Sequence, residues 1–447
     1  MRSTLRTLAV AGVTSALVIV TATASFAATP VDTSRVSRTL LGVGSDTTFE
    51  LMNQLDLLYN QSAGCAVLPP VGTTFATFKQ TCIDNGQLAY ATSYSSLITA
   101  ENLYHDRFTE AFPVGSGNGT KILTQFVTGG AGTALPADYA RASSKQAYTL
   151  PAGYTAYGVA FARNGDGWWL GRTNTFVAHN KKGPTTNATI GQLKNVFVGN
   201  ASGDCLTTYS NALKSAFKIK AGPPNVNNQV QPFAPQIGSG SGKDFLSRID
   251  PTLNPSDASF LQNCIPQRFK DGDLSNGEHV IQENFARPIC NQTGLTKNWQ
   301  NRAVYPYGFA RFVQNHGGTV GCVGRLQKVA GVAPSPASIS LIAGPKAYPL
   351  TGDVYLYAAV HTGAGVDVTD PTTWTGNIQS VLEYFDPIHG FLCKANTQPD
   401  PYTGVSYHKE IAATIVRMGF GPLSFGNPGG STWTGLGNSY CRDAAGT

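Results

Sequence analysis

LLGVGSDTTFELMNQLDLLY, residues 40–59, reads as a short extended apolar run, a corner of small residues and a helix. Leu40 to Val43 form the run and Gly44-Ser45-Asp46-Thr47 the corner. Leu51, Met52, Leu55, Leu58 and Tyr59 then recur at the spacing of a single helix face. Thr47 and Glu50 stand at capping-box spacing, which sets the helix start at about Thr48.

Two further places repeat the design. Ala111-Phe112-Pro113-Val114 leads into Gly115-Ser116-Gly117-Asn118-Gly119, with Ile122, Leu123, Phe126 and Val127 as the next apolar face. Val230 to Gln236 leads into Gly238-Ser239-Gly240-Ser241-Gly242, followed by Phe245, Leu246 and Ile249. Strand, corner and helix in that order are the parts of a parallel α/β sheet, whose ligands gather at the carboxyl ends of its strands. Between these units, YGVAFAR (157–163) and DVYLYAAV (353–360) read as buried or alternating strands, each after a turn-rich stretch, Leu150-Pro151-Ala152-Gly153 and Gly344-Pro345-Lys346. Taken as two crossings, they divide the chain into a discontinuous lobe of residues 36–149 plus 344–447 and a second lobe of residues 150–343.

The chemistry suggested by the three corners is anion capture. A buried anion must recover the hydrogen bonds it loses from water, and the unpaired N–H groups of a helix start offer them without a side-chain charge. Glycine admits the ligand to the backbone, while serine and threonine hydroxyls add donors that rotate to fit an oxygen and accept from a protonated one. One Gly/Ser stretch alone is more often a surface turn; three in the same context point to a shared site. Gly238 to Lys243 is no nucleotide phosphate loop, because Ile237 stands at the first glycine position and Asp244 follows the lysine in place of Ser or Thr.

Bulk properties narrow the class further. Arg2 and Arg6, the apolar run Leu8 to Val20, and Ser25-Phe26-Ala27 read as a signal peptide over residues 1–27. The expected location is therefore secreted or extracellular, with no membrane span in the mature chain. Cleavage after Ala27 removes two arginines, lowering the formal charge from +6 to +4. With 13% charged residues and no Lys/Arg run beyond Lys181-Lys182, nucleic acid is not an expected partner. The eight cysteines, at 65, 82, 205, 264, 290, 322, 393 and 441, contain no CxxC pair, which in an exported chain favours disulfides over metal or redox chemistry. Joining neighbours in sequence order is the simplest pairing, and the connectivity stays open. The seven histidines sit singly, so no metal or other cofactor is expected. Asp271, Asp273 and Ser275 resemble the start of a calcium loop, but Asn276 stands where glycine is required, and a solvated turn is the reading. Tyr355 and Tyr357 read as packing residues, as do Trp168 and Trp169.

The segments GVGSDTTFELMNQL (42–55) and PQIGSGSGKDF (235–245) resemble motifs of the phosphate-binding component of bacterial ABC phosphate importers, in the branch common in high-GC Gram-positive bacteria. ARASS (140–144), TIGQLKNVFVGNAS (189–202), AVYPYGFARFVQNHGG (303–318) and YPLTGDVYLYAAV (348–360) resemble further segments of that family in the same order. The resemblance implies a two-domain α/β clamp of the type II periplasmic-binding-protein class, with two crossovers between lobes, here stapled by disulfides. It also implies a ligand, phosphate or a related oxyanion, held by Thr48 and the N–H of Phe49, by Ser116, by Ser143 and Ser144, and by Ser239, the N–H of Gly240 and Ser241. Three departures stand out. Ser144 occupies the place of the family's proton-accepting aspartate, so either Asp46 substitutes for it or selectivity for phosphate is lost. Pro235-Gln236-Ile237 replaces the family's arginine, so Arg141 or Lys243 is the candidate positive charge. The usual lipid-anchor cysteine is also missing.

The functional expectation is a monomeric, non-enzymatic binding protein that hands an oxyanion to an ABC permease. An extracellular recognition or adhesive module on the same fold is the alternative. A secreted phosphatase-like hydrolase ranks behind both, because the chain has no GxSxG or HExxH motif.

Overall fold

The computed structural model describes residues 39–45, 47–62, 90–93, 115–127, 137–146, 150–170, 187–197, 231–233, 235, 239–252, 268–270, 278–280, 303–314, 325–361, 376–386, 390–393, 399–400, 403–423 and 441–443. These lie within one compact unit, Thr33–Thr447. The principal strands are β1 (Thr39–Gly44), β2 (Tyr90–Ser93), β3 (Tyr139–Ala142), β4 (Tyr154–Leu170), β5 (Ala303–Gly308) and β6 (Thr351–His361). The helices are α1 (Phe49–Ser62), α2 (Ser116–Val127), α3 (Ile190–Phe197), α4 (Gly240–Ile249), α5 (Phe309–Gln314), α6 (Pro336–Ser340), α7 (Gly376–Phe385) and α8 (Tyr407–Arg417). No helix among the described residues is long and apolar enough to cross a membrane.

The strands form a mixed sheet in the order β2-β1-β3-β6-β4-β5, with the short strand Gln231–Pro232 beyond β5. β1 runs parallel to β2 and β3, and Gln231–Pro232 parallel to β5. The centre departs from the parallel sheet expected of the sequence, since β6 is antiparallel to both β3 and β4, and β4 is antiparallel to β5. The cause lies in burial. Apolar runs covered on both faces look alike whichever way the strand runs, so their pattern carries no direction. The two stretches expected to be crossings are each other's partners, paired from Thr351↔Gly165 to His361↔Tyr154 with a register shift at Val354/Tyr355. β4 continues past this ladder, and its Asp166–Leu170 end pairs with β5.

Alternation along β6 divides the interior. Val354, Leu356 and Ala358 enter one core with Leu51, Met52, Leu55 and Tyr59 of α1 and with Tyr384 and Phe385 of α7. Tyr355 and Tyr357 enter the other with Leu123 of α2, Ala140 and Ala142, their rings stacked at 5.8 Å. Each large apolar side chain so buried stabilises the fold by about 1.5–3 kcal/mol. In the first core the Asp56 carboxylate accepts hydrogen bonds from the Tyr139 and Tyr384 hydroxyls. Burial, then the Asp56 charge, drives the Tyr384 phenol well above its ordinary pKa.

Cys393 is bonded to Cys441, a pairing that joins sequence neighbours. It ties the Arg442–Asp443 strand, which pairs with Ala160 and Val159 of β4, to the turn after α7. The other six cysteines, the signal-peptide segment, the Asp271–Ser275 turn, and the side chains of Trp168 and Trp169 lie outside the described residues.

Candidate functional site

At the first corner β1 ends on Gly44, whose φ of +115° is open to glycine at little cost, and a Cβ there would lie 2.3 Å from the Arg141 carbonyl oxygen. The close approach lets the Ser45 N–H donate to that carbonyl at 3.0 Å, fastening the corner to β3. Helix α1 begins at Phe49, close to the expected start, and Met52 N–H closes its first turn on the Thr48 carbonyl.

The other two corners are more helical than the sequence suggests. Ser116 is already the first residue of α2 and Gly240 the first of α4, so the glycines and serines form the opening turns themselves. Ser239 caps α4, its hydroxyl accepting from Gly242 N–H at 3.0 Å.

These segments meet in one place. Ser143 N–H donates to the Ser116 hydroxyl at 2.8 Å, and the two hydroxyls lie 3.1 Å apart. The Ser241 hydroxyl lies 3.5 Å from that of Ser143 and 3.1 Å from that of Thr47. A chain of hydroxyls, Thr47, Ser241, Ser143 and Ser116, therefore links the β1–α1 corner, the start of α4, the end of β3 and the start of α2. All four residues are at most 3% exposed. Gly240 fits only because it lacks a side chain, since a Cβ would stand 2.1 Å from Ser116 Oγ and 2.5 Å from Ser143 Oγ.

Of the residues expected to form a site, Ser116, Ser143, Gly240 and Ser241 are at this contact. Thr48 turns its hydroxyl back to the Ser45 carbonyl at 3.2 Å. Ser144 is beside the chain rather than in it: its hydroxyl accepts from Gln146 Nε2 at 2.8 Å, and Gln146 N–H donates to the Tyr357 hydroxyl at 3.0 Å. Ser239 uses its oxygen as the helix cap. Arg141 is buried on β3, its Nη2 donating to the Gly44 carbonyl at 3.4 Å and its guanidinium 5.5 Å from the centre of the Phe49 ring. Asp46 lies outside the described residues. Thr47 joins the chain of hydroxyls although the sequence suggested a capping role for it. Ser45, absent from the expected set, has a fully buried hydroxyl with no hydrogen-bond partner among the described residues.

The site's electrostatics favour negative charge. Three helices of ten residues or more begin here, each start carrying about half a positive elementary charge, and the Arg141 guanidinium is buried at the same corner. No cluster of metal-ligating side chains occurs among the described residues.

No protein-family model matches this chain, and no curated protein matches it. Solved structures similar in fold include the following two. One, from Clostridium perfringens, is described as a phosphate ABC transporter substrate-binding protein with bound phosphate, at a TM-score of 0.38 and 12% identity, covering 78% of this chain and 92% of its own. The other is a human phosphate binding apolipoprotein, at a TM-score of 0.40 and 11% identity, covering 89% of this chain and 94% of its own.

Proposed function

We propose that this chain is an oxyanion-binding protein whose Thr47, Ser116, Ser143 and Ser241 hydroxyls, with the opening turns of α1, α2 and α4, close on a small tetrahedral anion, phosphate being the leading candidate. One observation carries the reading: buried hydroxyls from four separate segments form a chain in which each lies within 3.5 Å of the next, at the starts of three helices. An apolar interior would pack there at no polar cost. Four hydroxyls at such a junction make sense when an ion exchanges their neutral hydrogen bonds, worth about 0.5–1.5 kcal/mol each, for charge-assisted ones of about 1.5–3 kcal/mol. Because the hydroxyls touch, the ion enters as the segments part and reforms the junction around itself. Hydroxyls also accept, so a protonated oxygen of hydrogen phosphate finds a partner without a carboxylate.

On this reading residues 36–149 plus 344–447 and residues 150–343 are the two lobes of the clamp, β4 and β6 cross between them, and Ser239, Gly240 and Ser241 belong to the second lobe. Thr48, Phe49, Ser144, Arg141 and Asp46 form the surrounding ring. The protein acts outside the cell as a monomer and delivers the anion to an ABC permease. Titration calorimetry against phosphate and sulfate tests the proposal. The expected dissociation constant for phosphate is micromolar or tighter, about −8 kcal/mol or beyond. Absence of heat with both anions refutes it.

A further inference from the structure

The helix that carries Ser241 is held by an ionic group further along the same helix. On α4, Arg248 faces Asp244 one turn back in a two-pronged pair, Nε to Oδ2 at 2.8 Å and Nη2 to Oδ1 at 3.1 Å. The same guanidinium reaches Asp166 Oδ2 of β4 at 4.0 Å, a residue 1% exposed. Across the ladder, Asp353 of β6 pairs with Arg163 of β4 at 3.1 Å. Burial works against the Arg248 charge, yet Asp244, Asp166 and Asp353 together raise its pKa above the ordinary arginine value. The pair also has a steric seat. Gly352 is hydrogen-bonded into the β4–β6 ladder opposite Asn164, and a Cβ on it would lie 2.0 Å from Asp244 Oδ2 and 2.6 Å from Arg248 Nη2. An exposed i,i+4 pair elsewhere would steady only its own helix, and weakly. Here it is pressed onto the two strands that run through the middle of the sheet.

We propose that Arg248 is a positioning residue: clasped to Asp244, seated on Gly352 and facing Asp166, it fixes α4 against the β4–β6 ladder and so sets where Ser241 and Gly240 meet Thr47, Ser143 and Ser116. This rests on the anion-binding reading above. The planar fork is essential, because lysine offers one point charge and cannot make the paired contact with Asp244 while facing Asp166.

The test is a double-mutant cycle in the full chain with phosphate as the probe. Arg248→Met is expected to weaken phosphate binding about tenfold in the wild-type background and by less than about threefold when Ser241 is already alanine, because the clasp acts through that hydroxyl. Arg248→Lys is expected to recover less than half of the loss in binding free energy. Losses that simply add, or unchanged affinity in Arg248→Met, overturn the proposal. Hydrogen exchange on the ligand-free protein separates it from the anion reading. Arg248→Met is expected to speed exchange at the amides of residues 240–243 about tenfold relative to those of α8. If no anion binds to the wild type, the functional reading fails while this exchange difference still judges the clasp; equal exchange overturns the clasp.

Discussion

Gly240→Ala puts a single methyl group at the centre of the hydroxyl junction. The new carbon would lie 2.1 Å from Ser116 Oγ, 2.5 Å from Ser143 Oγ and 2.9 Å from Ser116 Cβ, against an ordinary contact of about 3.5 Å. Ser116 cannot swing away cheaply, because its oxygen accepts the Ser143 N–H at 2.8 Å. Relief therefore requires α4 to withdraw by about 1 Å from α2 and β3. Such a shift takes Ser241 out of hydrogen-bonding range of Ser143, already 3.5 Å away, and stretches its 3.1 Å contact with Thr47. With the ion bound, the methyl takes up the space beside Ser116 and Ser143 that the ion must fill and removes one or two charge-assisted contacts, at a cost of about 2–5 kcal/mol, an affinity loss of roughly 30- to several-thousand-fold. Alanine suits a helix better than glycine by up to about 1 kcal/mol, so the folded state itself is not expected to lose as much as binding does. Calorimetric titration with phosphate, alongside thermal unfolding of the ligand-free protein, reads both quantities. Binding within about threefold of wild type would refute the junction as the anion site.

Three further outcomes are expected. Ser239→Ala removes the cap on Gly242 N–H and lowers stability by about 1 kcal/mol, read by denaturant unfolding without ligand. Burial, partly opposed by the Gln146 N–H, pushes the Tyr357 phenol up to about 12. A raised folded-state pKa means the contribution to stability is complete below the unfolded value of about 10 and disappears as pH climbs from there to about 12, so Tyr357→Phe is expected to flatten alkaline unfolding in that window. Breaking the Cys393–Cys441 bond by Cys441→Ser frees a loop of 48 residues and is expected to cost about 4 kcal/mol by chain entropy, measured as a lower denaturant midpoint under oxidising conditions.

Much of the fold was legible in residue spacing. The apolar faces of α1 and α4, and the strands around Val159 and Leu356, follow from period and burial alone. Strand direction did not follow, because runs such as YGVAFAR are covered on both faces and carry no sign of which way a partner passes. At the site, the residue types at the corners pointed to Ser116 and Ser241, and the family resemblance of ARASS pointed to Ser143. Which threonine joined them was harder to read. Thr47 and Thr48 differ by one step at a helix start, where a single peptide turns a side chain to another side, and capping spacing favoured a local role for Thr47. Ser144 looked equivalent to Ser143 until Gln146 engaged it. The seat of Asp244 and Arg248 on Gly352 was out of reach, since it joins residues more than a hundred positions apart and depends on a side chain that glycine does not have.

A shared grip and a set of separate contacts make different demands on these variants. If each hydroxyl acted independently, Ser241→Ala and Gly240→Ala would rank by hydrogen bonds lost, and alanine at 240, which deletes none, would be mild. If the hydroxyls work because four segments close to within 3.5 Å, the order inverts. Removing one oxygen then costs about 1.5–3 kcal/mol, a loss of roughly ten- to 150-fold, since the neighbouring hydroxyls and helix starts remain in place. The methyl at 240 costs more because it takes the space beside Ser116 and Ser143 that the ion must fill, and so weakens several contacts together. That inversion follows from packing rather than from donor count, and it is the property that a clamp requires.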